Sequence, residues 1–95
     1  MNKMILVSLF DKKADYFHPA YCIRNKALAC RAFSDAIINR NDSDLSNHPE
    51  DFELFHVGSF DLDKGILEPI SPVSICSGLD FIAKKESNND DTSAQ

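Results

Sequence analysis

Asp61-Leu62-Asp63-Lys64-Gly65 carries the alternating carboxylates and the glycine of a calcium-loop fragment. A complete loop needs further oxygen ligands and a bidentate Glu several positions beyond the glycine. Ile66 and Leu67 follow instead and start a strand, so a hairpin turn is expected. His48, Glu50, Asp51 and His56 are the densest group of metal-ligating or acid–base side chains. No pair among them has the spacing of a two-histidine helical zinc site. A turn with a capping carboxylate accounts equally well for His48-Pro49-Glu50-Asp51. Cys22 and Cys30 could in principle form nucleophilic pairs with a histidine, but both fall on regular elements among apolar neighbours, where inert core thiols are the norm. The three glycines, at 58, 65 and 78, are scattered and build no phosphate loop. The residue types therefore predict a non-enzyme with no catalytic set, no cofactor and no metal.

What remains is a basic set interleaved with aromatic rings. Lys12 and Lys13 stand at the tip of the first expected hairpin, and Arg24, Lys26 and Arg31 flank the start of the expected helix, with Arg40 beyond it. Tyr16, Phe17 and Tyr21 lie between these groups. Cations neutralise phosphates and rings stack on bases, the combination by which proteins hold single-stranded nucleic acid. A solvated edge beside core aromatics explains the same residues, because their density is below that of a dedicated nucleic-acid domain.

Charge divides the chain. Residues 1–40 hold seven Lys/Arg against three Asp/Glu, a net +4, and residues 41–95 hold three against twelve, a net −9. The overall −5 disfavours strong non-specific binding to a phosphate backbone. The split is compatible with an anion-binding face beside an acidic one, or with head-to-tail self-association into a homodimer. An odd cysteine count, Cys22, Cys30 and Cys76, without CxxC spacing points to buried, reduced thiols in a cytoplasmic protein. The opening Met-Asn-Lys-Met-Ile-Leu-Val-Ser-Leu-Phe has too short an apolar run for a signal peptide, and no stretch approaches the ~20 apolar residues that span a bilayer. A soluble protein without membrane contact is expected.

These side chains must be positioned by few elements. Ser87 to Gln95 holds no aromatic or branched apolar residue, so residues 1–86 are expected to form one domain and 87–95 a disordered polar and acidic tail. A domain of this size buries roughly 60–65% of its unfolded surface, enough for one modest sheet and a helix. Lys3–Phe10 is a near-continuous apolar run and reads as a central strand covered on both faces, or on one face plus a partner. Tyr16–Ile23 is a poorer strand that Pro19 confines to an edge or a bulge. Asn25 caps a helix from Lys26 to Asn39, whose stripe of Ala29, Phe33, Ala36 and Ile37, widened by Cys30 and Ala32, packs on the sheet, with Arg31, Ser34 and Asp35 outside. Arg40–Asn47 reads as a polar loop. Phe52–Leu62 reads as a third strand with a bulge or close approach at Gly58, and Ile66–Ile70 as a fourth, ended by Pro69 and Pro72. Val73–Ala83 is a last turn of helix or a strand. The expected fold is α+β: a small antiparallel sheet of about four strands with one helix on one face.

Three stretches carry a family resemblance. Phe10-Asp11-Lys12-Lys13-Ala14 with Pro19, Asn25-Lys26-Ala27-Leu28 through Arg31-Ala32-Phe33-Ser34-Asp35-Ala36, and Asn47-His48-Pro49-Glu50-Asp51-Phe52 continuing through Leu54-Phe55, Gly58, Phe60-Asp61 and Gly65 resemble the small non-structural protein of gokushoviruses, the tailless single-stranded-DNA phages of the microvirus group. The likeness covers about residues 3–70, and Ala27-Leu28 departs from a common Gly-Glu pair at the helix start. It implies a non-enzymatic protein of the infected bacterium's cytoplasm, a counterpart of the microvirus C protein, acting in viral single-stranded DNA synthesis and packaging. The implied partners are single-stranded DNA or the phage replication and procapsid complex. The surface for DNA would be Lys12, Lys13, Tyr16, Tyr21, Arg24, Lys26 and Arg31. The alternative is a host-directed interaction module that binds a bacterial protein through its acidic half.

Overall fold

The computed structural model describes residues 2–39 and 43–82. Strand β1 (Lys3–Asp11) is followed by a tight turn, two short strands β2 (Tyr16–Phe17) and β3 (Tyr21–Ile23), helix α1 (Lys26–Ile38) and a one-turn helix α2 (Asp44–Asn47). A 3-10 turn at Pro49–Asp51 leads into the long hairpin of β4 (Phe52–Asp61) and β5 (Ile66–Ser77), and a second 3-10 turn spans Gly78–Phe81. All pairings are antiparallel: β2 and β3 flank one side of β1, β4 the other, and β5 forms the far edge. The α+β architecture expected from the residue pattern is what forms.

Pairing register assigns the faces, because directly opposed residues share a face and neighbours along a strand alternate. Leu9 stands opposite Leu54, which stands opposite Cys76. These, with Val7 and Phe52, meet Ala29, Phe33 and Ile37 of α1 in the buried core. The helix starts where expected: the Asn25 side chain accepts a hydrogen bond from the Leu28 amide at 2.9 Å. Phe33 packs edge-to-face on Phe81, at 5.8 Å between ring centres.

Several expectations need correction. Tyr16–Ile23 is not one strand; His18-Pro19-Ala20 interrupts it, and the Ser8 hydroxyl donates to the His18 carbonyl across the gap. Within the expected loop Arg40–Asn47, α2 forms on a Ser43 cap that receives the Ser46 amide at 3.1 Å. Ser46 is itself buried and its hydroxyl donates to the Ile37 carbonyl, tying α2 to the end of α1. On α1, Ser34 is buried rather than outward and Ala32 is exposed rather than in the stripe, a rotation that lets the helix meet both sheet and α2. Strand β5 does not stop at the prolines but runs through Pro69 and Pro72 to Ser77. It can do so because it is an edge, where a missing N–H faces outward, and because irregular pairing between His56 and Gly58 absorbs residues 70–72. Val73–Ser77 therefore continues the strand, and Gly78–Phe81 makes the last turn. Gly58 is the close approach foreseen: a Cβ there would lie 2.6 Å from the Glu68 carbonyl oxygen. Of the thiols, Cys76 is buried and Cys30 half-buried, but Cys22 is exposed on the narrow β3 edge. Arg40, Ala83 and the 86/87 boundary lie outside the described residues.

Candidate nucleic-acid interface

The turn carrying Lys12 and Lys13 is held by its own backbone. Asp11 Oδ1 accepts from the Lys13 and Ala14 amides at 3.0 Å each, and Asp15 takes a left-handed φ of 62° to close onto β2. Lys12 is drawn inward along β4: its Nζ lies 3.6 Å from Glu53 Oε1, and its amide donates to the Asp51 carbonyl. Lys13 stays exposed. At the other end of the same edge, Ile23 pairs with Ile5, so Arg24 and Lys26 stand near the level of Met4. Seven residues of β1 separate the two basic ends, about 23 Å at the rise of a strand. Arg31 is exposed on α1, beyond Lys26.

Between the ends the rings diverge. Tyr16 is level with Asp11 and Tyr21 with Val7, so register puts both on the helix-bearing face. Tyr16 stacks on His18 with centres 5.1 Å apart. His18 leans on Phe52, and its Nε2 is enclosed without a hydrogen-bond partner. Partial burial, and after it the nearby Cys76 thiol, push the Tyr21 hydroxyl above its ordinary pKa. Phe17 instead joins Phe10 and Phe55 on the opposite face, at 4.6 and 5.5 Å. The expected residues thus form a strip along one edge, with two basic ends and exposed rings between, rather than one patch. The register of β2 and β3 decides which face each ring occupies; Pro19 marks the interruption in the sequence, but not the register on either side of it.

The second cluster is only partly assembled. Ligand atoms of His48, Glu50 and Asp51 lie within 4.8 Å of one another, with His48 Nδ1 3.9 Å from Glu50 Oε2. His56 is elsewhere, its Nε2 at 2.9 Å from the Gly58 carbonyl oxygen. Beside the cluster is a cleft of about 300 Å³ lined by Asp11, Lys13, Ala14, Asp44, His48, Asp51 and Phe52, which residue spacing did not foretell because it joins three separate turns. Three ligands, two of them exposed and Asp51 half-buried, fall short of the four that close a structural zinc site.

Comparison with known proteins fixes the lineage. The sequence profile described as "Phage ORF5 protein" matches residues 4–81. The chain belongs to the Phage ORF5 protein family. It is 30% identical over 88 residues to "Protein ORF5" of Chlamydia phage 1, covering 87% of this chain and 92% of that protein. The resemblance to a small gokushovirus-type phage protein is thereby borne out, and the match extends beyond residue 70 to the second 3-10 turn of this ORF5-family protein. No solved structure matches the chain. Among the described residues, no helix is long and apolar enough to cross a membrane.

Proposed function

We propose that this ORF5-family protein acts without catalysis in viral single-stranded DNA synthesis or packaging, in the host cytoplasm, and that it holds single-stranded DNA along its β2/β3 edge. The observation that carries this is the exposure of Tyr16 and Tyr21, at 52% and 47%, between cations at both ends of that edge. Rings left in water beside lysine and arginine offer bases a stacking surface and phosphates a counter-charge. The sheet order supports the same reading, because the acidic β4–β5 hairpin stands at the opposite edge, where it repels a bound strand least. Lys13, Arg24, Lys26 and Arg31 are the better-placed contacts, and Lys12 contributes less because Glu53 already neutralises it.

Fluorescence anisotropy with labelled oligonucleotides tests this. With so few cations, affinity is expected to be about micromolar at physiological salt, with a log–log salt slope of about −0.7 per phosphate contacted. Tyr16→Ala and Tyr21→Ala should each weaken binding by ~1–3 kcal/mol. Joint charge reversal at Lys13, Arg24 and Arg31 should abolish it with the circular dichroism unchanged. Absence of single-strand binding by the wild type at low salt rejects direct contact. The second reading, an interaction module for a host protein or the replication complex, would then stand. What favours that reading is the exposure of Ile66, Leu67, Ile70, Val73 and Leu79 in the acidic half.

A further inference from the structure

We propose that Cys30 and Cys76 are a redox pair, which a peroxide oxidises to a disulfide that locks helix α1 to strand β5. This inference goes beyond the DNA reading and does not depend on it. Spacing along the chain gives no hint of the pair, because about half the sequence lies between the two cysteines. The fold brings them together. Cys76 stands opposite Leu54 in the buried core, and Cys30 packs against the same core from α1. Their side chains are hydrogen-bonded to each other. Both sit on regular elements, Cys30 in the second turn of α1 and Cys76 near the end of β5. A second contact fixes their approach. Directly after β5, Ser77 caps the last 3-10 turn, and Phe81 of that turn meets Phe33 of α1 edge-to-face at 5.8 Å. The sulfurs need only close from hydrogen-bond contact to an S–S bond of ~2 Å.

Access and protonation divide the roles. Cys30 is half-buried and open to a small oxidant, whereas Cys76 is 8% exposed. Burial first, then the hydrogen bond with Cys30, hold the Cys76 thiol in its protonated, unreactive form, and the Asp80 and Glu53 carboxylates add to this. Cys30 therefore reacts first. Its thiolate attacks one peroxide oxygen, the O–O bond breaks, and a sulfenic acid forms as hydroxide leaves and takes up the Cys30 proton. The Cys76 sulfur then attacks the Cys30 sulfur. The S–O bond breaks, and the sulfenic hydroxyl leaves as water with the proton that Cys76 gives up. The two thiols together lose two electrons, and the peroxide is reduced to two waters. Cys22 cannot replace either partner. It pairs with Leu6, next to core residue Val7, so strand alternation puts it on the sheet face away from α1. The disulfide closes a loop that holds α2, β4 and most of β5, a restraint on the unfolded chain that stabilises the folded one.

The test treats the full-length chain with hydrogen peroxide at neutral pH, quenches with catalase, and alkylates the remaining thiols under denaturing conditions. Mass spectrometry should show a loss of two hydrogens and one alkylated thiol per chain. Trypsin cleaves between all three cysteines, so the linked product should join the peptide with Cys30 to that with Cys76, leaving Cys22 alkylated. Melting temperature should rise by about 10 °C, as a long closed loop in a domain of this size implies, and return to its starting value with dithiothreitol. Cys22→Ser should change neither the link nor the rise. Cys30→Ser, at a half-buried position, should remove both while its circular dichroism matches the reduced wild type. A treated wild type whose Cys30 and Cys76 are recovered unlinked overturns the proposal. So does a link made solely through Cys22, or a Cys30–Cys76 link that leaves the melting temperature unchanged.

Discussion

The two faces of the sheet both carry large apolar side chains but are unequally covered in the fold. On one, Val7, Leu54 and Phe52 disappear under Ala29, Phe33 and Ile37. On the other, Met4, Leu6, Phe10, Phe55 and Phe60 are half-buried and Leu67 is 60% exposed. A sheet with one wet face normally alternates apolar and polar residues. Strand β1 does not: Met4, Ile5, Leu6, Val7, Leu9 and Phe10 put apolar side chains on both sides. The difference teaches that an apolar run along β1 does not by itself say which face the fold will cover.

Substitutions should divide along that line. Phe33→Ala is expected to cost about 3–5 kcal/mol in a denaturant melt, since Phe33 is 5% exposed and packs edge-to-face on Phe81. A loss under about 1 kcal/mol would mean that α1 does not close this face as described. The next effect is on pH. Burial, followed by a hydrogen bond with Cys30, pushes the Cys76 thiol well above its ordinary pKa. Its native-state pKa being raised, this thiol's contribution is fully present below the unfolded pKa of about 8.5 and is lost as pH rises above it. Melting temperature should therefore fall through alkaline pH, and Cys76→Ala should flatten that fall, while Cys22→Ala should leave it intact. Smallest is Leu67→Ser on the exposed face, expected to change the stability of a single chain by no more than about 0.5 kcal/mol. A larger loss, growing with protein concentration, would sharpen the contrast by showing that this face contributes only when paired.

Legibility followed the same physics. Helix α1 could be read from its 3.6-residue stripe and the Asn25 cap because both signals are local. The close approach at Gly58 and the turn at Gly65, with φ of 68°, were legible for the same reason. The full length of strand β5 is not legible because proline usually ends a strand, and only its position as an edge, a tertiary fact, lets it continue. Helix α2 was hidden because Ser46 is stabilised by a carbonyl nine residues away in α1. Residues of the candidate strip were nameable from charge and ring content, but their division between two faces depends on the pairing of β2 and β3 with β1.

The central place of β1 has a consequence for the order in which the chain is made. β1 leaves the ribosome first, yet its main partner, β4, begins at Phe52, some forty residues after β1 ends. At bacterial or slower synthesis rates of about 5–20 residues per second, β1 waits roughly 2–8 s for that partner. For those seconds a run that is apolar on both sides is paired at most by β2 and β3, which follow at once and fold back on it. One edge of β1 can thus be paired with no residue beyond Ile23, whereas the other must wait for the hairpin of β4 and β5.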